Sequence, residues 1–391
     1  MLMTATPHAE RLQAPEVTGL DALRTPALLI DLDLVEQNIA ATIRLLRGEP
    51  DRWRPHLKTA KLALTIGRLV AHGVRHAKCA TTLELETACE EGFADVLLAY
   101  PALGPHVTSV RRLAERFQNT AISALVEDPG MVEVWRGAPV GLFIDVNPGM
   151  DRTGMPLYRP DDVLAVAQAI GGAGLRFVGL HYYDGHAAGF PAAEAARRVH
   201  AGYDRLFGLV EHLRAAGVIV PEVITAGTPA FPHALSYGRL REAGVLHRLS
   251  PGTVVYNDVH SLAQLPHAAG YRPAAFVLSR VVSHPTAARF TLDAGHKTVS
   301  ADAGDPTCAV VGHPEYLPRH PSEEHLPVDV PAGTPLPPRG ELLWLVPAHV
   351  CPTVNNFDHA VIVAGGGIQG LERVTARGRH APMIGESVRT P

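Results

Sequence analysis

Short apolar runs alternate with longer stretches of helical periodicity through the first two-thirds of the chain, and this alternation sets the expected architecture. The runs predict strands at Ala27–Asp31, Arg54–Lys58, His76–Ala80, Val96–Ala99, Ile122–Val126, Gly141–Val146, Phe177–His181, Glu222–Ala226 and Leu246–Ser250. Between them, Leu83, Leu85, Ala88 and Cys89 give Thr81–Glu91 the apolar face of a helix, and Pro160–Ile170 and Ala192–Ala216 read the same way. Strand–helix alternation at this spacing predicts a parallel sheet of the α/β class, and eight repeats of it predict a (β/α)8 TIM-type barrel. Beyond residue 268 the helical periodicity fades. Strand-like runs then appear at Ala275–Ser283, Ala288–Asp293, Glu341–Val346, Ala360–Ala364 and Leu371–Arg377, separated by proline- and glycine-rich turns such as Pro327–Gly340. The expected organisation is a barrel over 27–268 followed by a mostly antiparallel β domain over 269–391, with 1–26 as an N-terminal extension packing with the β domain.

Composition narrows the class. The 391 residues are 46% hydrophobic and 6% aromatic, which fits a globular chain long enough for two cores. A net charge of −4 offers nothing to a nucleic acid or a membrane surface. No apolar run reaches the roughly 18 residues of a transmembrane helix, and Met1–Pro26 lacks the basic-then-apolar layout of a signal peptide. Four cysteines are too sparse for a disulfide framework. A cytoplasmic, soluble protein acting on a small molecule is expected.

Chemistry in such a barrel sits at the C-terminal ends of the strands, and polar, glycine-rich segments collect there. Lys58 closes one strand, Asp145–Gly154 follows another, and His181–His186, Thr225–Pro229 and Ser250–Thr253 follow three more. Lys58 is one of only four lysines, with Lys61, Lys78 and Lys297. Taken alone it reads as a solvated surface residue. At the mouth of a strand–loop–helix unit, however, a primary amine can meet a small carbonyl compound, as where an enzyme anchors pyridoxal 5′-phosphate (PLP) as a Schiff base. Gly227-Thr228 and Gly252-Thr253 lie where barrel enzymes hold a phosphate through backbone N–H groups and hydroxyls. Arg152, in a loop tightened by Gly149 and Gly154, could hydrogen-bond the phenolic oxygen of PLP and keep it ionised. His349-x-Cys351, on an extended segment, would put imidazole and thiolate on one face, a pair that suits Zn²⁺ and leaves room for water or substrate. His181 and His186 flank Tyr183, and one of them is expected near the site.

Together these motifs resemble the D-threonine aldolase/D-serine dehydratase family of fold-type III PLP enzymes, relatives of alanine racemase. The resemblance runs in order through Arg54-Pro55-His56-Leu57-Lys58-Thr59, Lys78-Cys79-Ala80-Thr81, Asp151-Arg152-Thr153-Gly154 and Gly179–His186. It continues through Gly227-Thr228-Pro229, Pro251-Gly252-Thr253, Leu292–Gly295, His349-x-Cys351-Pro352-Thr353 and Ala376-Arg377-Gly378-Arg379. It implies Lys58 as the Schiff-base lysine, with Arg152 and Tyr183 near the cofactor ring. Gly227, Thr228, Gly252, Thr253 and Tyr256 would also contact the cofactor, and His349 and Cys351 would hold a divalent Zn or Mn ion. It also implies a homodimer, and a leading strand Ala27–Asp31 that joins the β domain.

The implied activity is a PLP- and metal-dependent lyase acting on D-3-hydroxy amino acids. One form is retro-aldol cleavage to glycine and an aldehyde, the D-threonine aldolase type. The other is a D-serine or D-3-hydroxyaspartate dehydratase giving a 2-oxo acid and ammonia. Two departures stand out. Many members carry Lys-x-His-Lys where this chain has Lys58-Thr59-Ala60-Lys61. The aldolases resemble His-x-Asp and the dehydratases His-x-Cys, yet here Cys351 is followed by an aldolase-like Pro352-Thr353-Val354-Asn355. A racemase of this fold would need a second-domain tyrosine, and Ser279–Asp302 contains none. A non-catalytic PLP carrier would lack the second domain.

Overall fold

The computed structural model describes residues 11–382, so residues 1–10 of the expected N-terminal extension lie outside the described residues. Two compact units divide the chain. One consists of Ile43–Lys58, Leu69–Gly252 and the stretch from Gly378; the other of the chain up to Thr42 with Thr59–Arg68 and Thr253–Arg377.

The first unit is the parallel barrel. Its strands His76–Cys79, Asp95–Pro101, Ala121–Val126, Gly141–Asn147, Arg176–Tyr182, Glu222–Thr225 and Leu246–Leu249 neighbour one another in chain order. Single parallel bridges, Trp53 to Leu249 and His56 to Lys78, join the segment before Lys58 to both ends of this row. The expected strand Arg54–Lys58 is therefore extended but not a continuous ladder. Pro55 has no N–H to donate, so pairing is limited to isolated contacts around it, such as Arg54 N to Leu249 O at 2.9 Å and Leu57 N to Lys78 O at 2.8 Å. Leu97, Leu125, Phe143, Val178 and Ile224 fill the interior. Helices return the chain between strands. That at Thr82–Glu90 starts where the Thr81 hydroxyl accepts from Glu84 N at 3.1 Å, while the Glu84 carboxylate accepts from Ala80 N at 2.7 Å.

The second unit is built on an antiparallel-rich sheet. Ala27–Asp31 pairs antiparallel with Ala275–Thr286 and parallel with His359–Ala364, so the leading strand does belong with the β sheet. Ala275–Thr286 also pairs with Arg289–Leu292 and Leu342–Pro347 around a core of Val277, Phe290, Leu292, Val328 and Leu345. Three short strands were not expected: Cys308–Val310, Leu317–Pro318 and Leu326–Asp329. The last strand runs Gly367–Arg373, earlier than the expected Leu371–Arg377, because Gly365 and Gly366, at φ +57° and +73°, make a tight hairpin turn before it. Among the described residues no helix is long and apolar enough to cross a membrane.

Candidate active site

In the barrel unit a cavity of about 290 Å³ opens at the C-terminal ends of the strands, lined by His56, Lys58, Lys78, Arg152, His181 and Tyr183 among others. Each side chain is placed by a strand or by the loop that leaves it. Lys58 follows the bridged segment, and its backbone N–H donates to His56 Nδ1 at 3.3 Å. Asp145 and His181 are register partners on adjacent parallel strands. That brings His181 Nδ1 to 2.7 Å from Asp145 Oδ1. On the other side of the imidazole, Nε2 lies 3.2 Å from Lys78 Nζ.

Arg152 is carried by a loop that its own residues shape. Asn147 Oδ1 accepts from the N–H groups of Gly149 and Asp151 at 2.9 and 3.1 Å. At Gly154, φ +97°, a Cβ would stand 2.6 Å from Asn147 N, so only glycine fits. The loop sets the Arg152 guanidinium 4.8 Å from the centre of the Tyr183 ring, against which Lys78 Nζ also lies at 5.3 Å.

Charges at this end are poorly compensated. Burial, reinforced by the positive charge of Lys58, pulls the Lys78 ammonium down to about 7. Burial and the neighbouring lysine likewise lower His181, which favours the neutral imidazole. Burial pushes the Asp145 carboxyl up, but His181 and Thr153 outweigh it and hold the group below its ordinary value. Asp184 is also buried and raised by that burial; it accepts from Tyr203 at 2.5 Å and from Gly227 N at 3.2 Å, tying down the loop after Glu222–Thr225.

That loop and the next meet the requirements of a phosphate. A Cβ at Gly227 would lie 2.7 Å from the Tyr183 ring, and one at Gly252 would lie 2.4 Å from His56 O. The backbone is bare in both places because nothing larger fits. Beside Gly227 the Thr228 hydroxyl is buried and has no hydrogen-bond partner. An orphaned buried hydroxyl is rare in a native fold and costs about 1–3 kcal/mol unless something satisfies it. An amine, a guanidinium against an aromatic ring, bare glycines and an unsatisfied hydroxyl fit PLP.

The remaining expected residues belong to the β-sheet unit. Tyr256 is fully buried, donates to Ala60 O at 2.9 Å and shares a 2.7 Å hydrogen bond with Thr65 Oγ1. His349 and Cys351 do not sit on one face of a strand as expected. The strand ends at Pro347, and His349 is the N-cap of the helix Val350–Asn355, with Pro352 tolerated in its first turn. The turn still brings the two side chains into contact. Asp302 Oδ2 lies 2.6 Å from His349 Nδ1, which leaves Nε2 to bind elsewhere. The thiol of Cys351 lies 3.0 Å from Thr59 Oγ1 and 3.8 Å from Thr253 Oγ1. Burial lowers the imidazole, but Cys351 and Asp302 together push it up to about 9. Among the described residues no three His, Cys, Asp or Glu groups gather as a closed metal cage. A two-donor pair fits an ion whose other positions are open and does not fit a structural zinc.

Sequence reasoning gave Lys78 no role. The only signal for it was a lysine inside an apolar strand of a lysine-poor chain. Of the two histidines flanking Tyr183, His181 is the one that lines the cavity.

Comparison with known proteins places this geometry. The alanine racemase N-terminal domain model matches residues 30–258, and a serine dehydratase domain model matches residues 274–363. The chain thus belongs to the alanine racemase N-terminal-domain family, the fold-type III class of PLP enzymes. Within it, the chain is similar to members of the D-threonine aldolase/D-serine dehydratase branch. It is 28% identical to a D-threonine aldolase from Arthrobacter sp., over 90% of this chain and 93% of that protein. It is 26% identical to a D-threo-3-hydroxyaspartate dehydratase from Delftia sp. (strain HT23), over 90% and 97%. The crystal structure of a D-threonine aldolase from Filomicrobium marinum superposes with a TM-score of 0.82 at 28% identity, covering 92% of this chain and 97% of that one.

Proposed function

We propose that this chain is a PLP- and divalent-metal-dependent lyase that cleaves D-3-hydroxy amino acids, as a D-threonine aldolase does, to glycine and an aldehyde. The observation that carries the reading is the barrel cavity, where Lys58 shares one pocket with Arg152 and Tyr183 while the Thr228 hydroxyl is buried and unsatisfied. Full-length similarity to aldolases and dehydratases supports it. PLP, when bound, supplies an electron sink for the pair left at Cα as a bond there breaks. In this reading Lys58 carries the cofactor, Arg152 holds its phenolic oxygen, Tyr183 packs on the ring, and Gly227, Thr228 and Gly252 receive the phosphate. Thr253 and Tyr256 complete the cofactor set. His349 Nε2 and Cys351 Sγ hold a Zn or Mn ion, which would act as a Lewis acid on the substrate β-hydroxyl. Asp302 fixes the His349 tautomer for that purpose. A barrel over 27–268, a β domain over 269–391 and a cytoplasmic homodimer belong to the same proposal; the four cysteines, all free and buried, support a reducing compartment.

A second reading, dehydration to a 2-oxo acid and ammonia, is favoured by one residue, the thiol Cys351. There Lys58 Nζ would take the Cα proton. Purified protein with PLP and Zn²⁺ or Mn²⁺ should release glycine and aldehyde from D-threonine, and chelation should abolish the release. Appearance of 2-oxo acid and ammonia instead would select the dehydratase, and inversion without cleavage would sink both.

A further inference from the structure

Lys78 is the one buried cation of the barrel cavity that the proposed lyase chemistry leaves without a task. It is 2% exposed, yet it lines the cavity. Among the described residues, no carboxylate lies within ion-pair distance of its ammonium, and its close polar partner is His181 Nε2 at 3.2 Å. A buried ammonium without a counter-ion is costly, so such groups are nearly always paired.

The geometry behind Lys78 keeps it a donor. Asp145, held as a carboxylate, accepts the Nδ1–H of His181 at 2.7 Å. That hydrogen bond fixes the tautomer in which Nε2 presents a lone pair, and the lone pair takes one ammonium N–H. The Tyr183 ring, 5.3 Å from Nζ, shields a second side. The ammonium therefore has N–H capacity left, on a cavity whose other cations are Lys58 and Arg152. Lys58 is given to the cofactor and Arg152 to its phenolic oxygen.

We infer that Lys78, oriented by His181 and Asp145, receives the distal carboxylate of the substrate, so that this chain acts on acidic, dicarboxylic 3-hydroxy amino acids in preference to neutral ones. The inference rests on the lyase reading for the word substrate, but the anion site itself does not. Asp184 and Asp145 act on this ammonium only from beyond ion-pair distance, so a bound carboxylate would supply its direct counter-ion, and a charge-assisted hydrogen bond of this kind contributes roughly 1.5–3 kcal/mol. That corresponds to about a 10- to 100-fold preference.

The test has two arms. In the first, kcat/KM is measured for D-3-hydroxyaspartate and for D-threonine in the native protein and in Lys78→Met. The acidic-to-neutral ratio should exceed one in the native protein and fall about 10- to 100-fold in the variant. An unchanged ratio, with both substrates affected alike, overturns the inference, because it would mean that Lys78 serves the α-carboxylate or the cofactor. In the second arm, calorimetry on the PLP-loaded protein compares succinate with butyrate. The native protein should bind the dianion more tightly and Lys78→Met should erase the difference; equal binding in the native protein overturns the inference. If neither amino acid turns over, the lyase reading fails and the second arm still decides on Lys78. Lys78→Gln serves both arms if the methionine variant fails to fold.

Discussion

At the N-terminal end of the barrel strands, Arg54 is completely buried, 2.8 Å from Asp95 and 3.0 Å from Glu222, and Arg248 closes on the same glutamate. At the C-terminal end, Lys78 is buried almost as deeply, and the group it touches is an imidazole. The electrostatic outcomes are opposite. Burial alone would raise Asp95, but Arg54 and His76 outweigh it and hold the carboxyl far below its usual range. At Lys78 burial dominates and Lys58 adds to it, and the more distant carboxylates of Asp184 and Asp145 do not outweigh them, so the ammonium is brought down to about 7. One barrel thus carries a closed charge cluster at one end and an open one at the other. The closed end holds the strands in place; the open end keeps unsatisfied groups facing a cavity, and perturbed groups of that kind mark a site where a ligand completes the arrangement.

The comparison breaks most sharply on two substitutions with crossed effects. Lys58→Ala should lower kcat by roughly a thousandfold or more if, as proposed, its amine carries the cofactor, while the denaturant midpoint barely moves, since Lys58 is only half-buried. Arg54→Met should do the reverse. It takes from Asp95 and Glu222 their shared partner and leaves them only His76 and Arg248, a loss toward the lower end of the about 3–5 kcal/mol for breaking a buried ion pair, read in urea or guanidinium unfolding. An Arg54→Met protein of native stability would mean that the closed cluster is not a stabilising one.

A gentler test uses pH. Lys78 sits near 7 when folded against about 10.4 for an ordinary lysine. Between those values the unfolded chain binds the extra proton, so stability rises with pH through that window, by at most about 1.4 kcal/mol per unit. Lys78→Met should flatten the rise and stabilise the protein at neutral pH. Asp95 acts in a different window: its folded value is depressed, so its contribution is present above the ordinary carboxylate range and lost as pH falls below it. Urea midpoints measured from pH 2 to 10 separate the two ends.

How far the sequence disclosed this depended on periodicity. Barrel strands such as Ile122–Val126 and Gly141–Val146 were located to within a residue or so, because each is an apolar run between amphipathic helices. Strands Leu317–Pro318 and Leu326–Asp329 were not, being too short and too rich in proline to show a period. The pairing of His349 with Cys351 was legible as a motif, but its geometry was not: prolines on both sides turn the segment into a helix start. Lys78 stayed hidden for a different reason. In a parallel sheet covered on both faces, Ala77, Lys78 and Cys79 are all buried, so no alternation marks which side chain enters the barrel.

The smallest expected effect gives the most pointed contrast, because it changes sign with ligand. Thr228 Oγ1 has no protein partner, so Thr228→Val, a near-isosteric change, removes a buried hydroxyl that no protein group satisfies. The cofactor-free protein should then be stabilised, by no more than about 1 kcal/mol, or left unchanged. If that hydroxyl binds the cofactor phosphate, the same substitution deletes a charge-assisted hydrogen bond and should raise the PLP dissociation constant roughly tenfold. At the closed end no such reversal is expected: removing Arg54 alone should destabilise the fold with or without a ligand. Equilibrium dialysis of PLP alongside thermal unfolding of the cofactor-free protein reads both signs. Loss of stability without loss of PLP affinity would return Thr228 to ordinary packing and leave Gly227 and Gly252 as the phosphate's hosts.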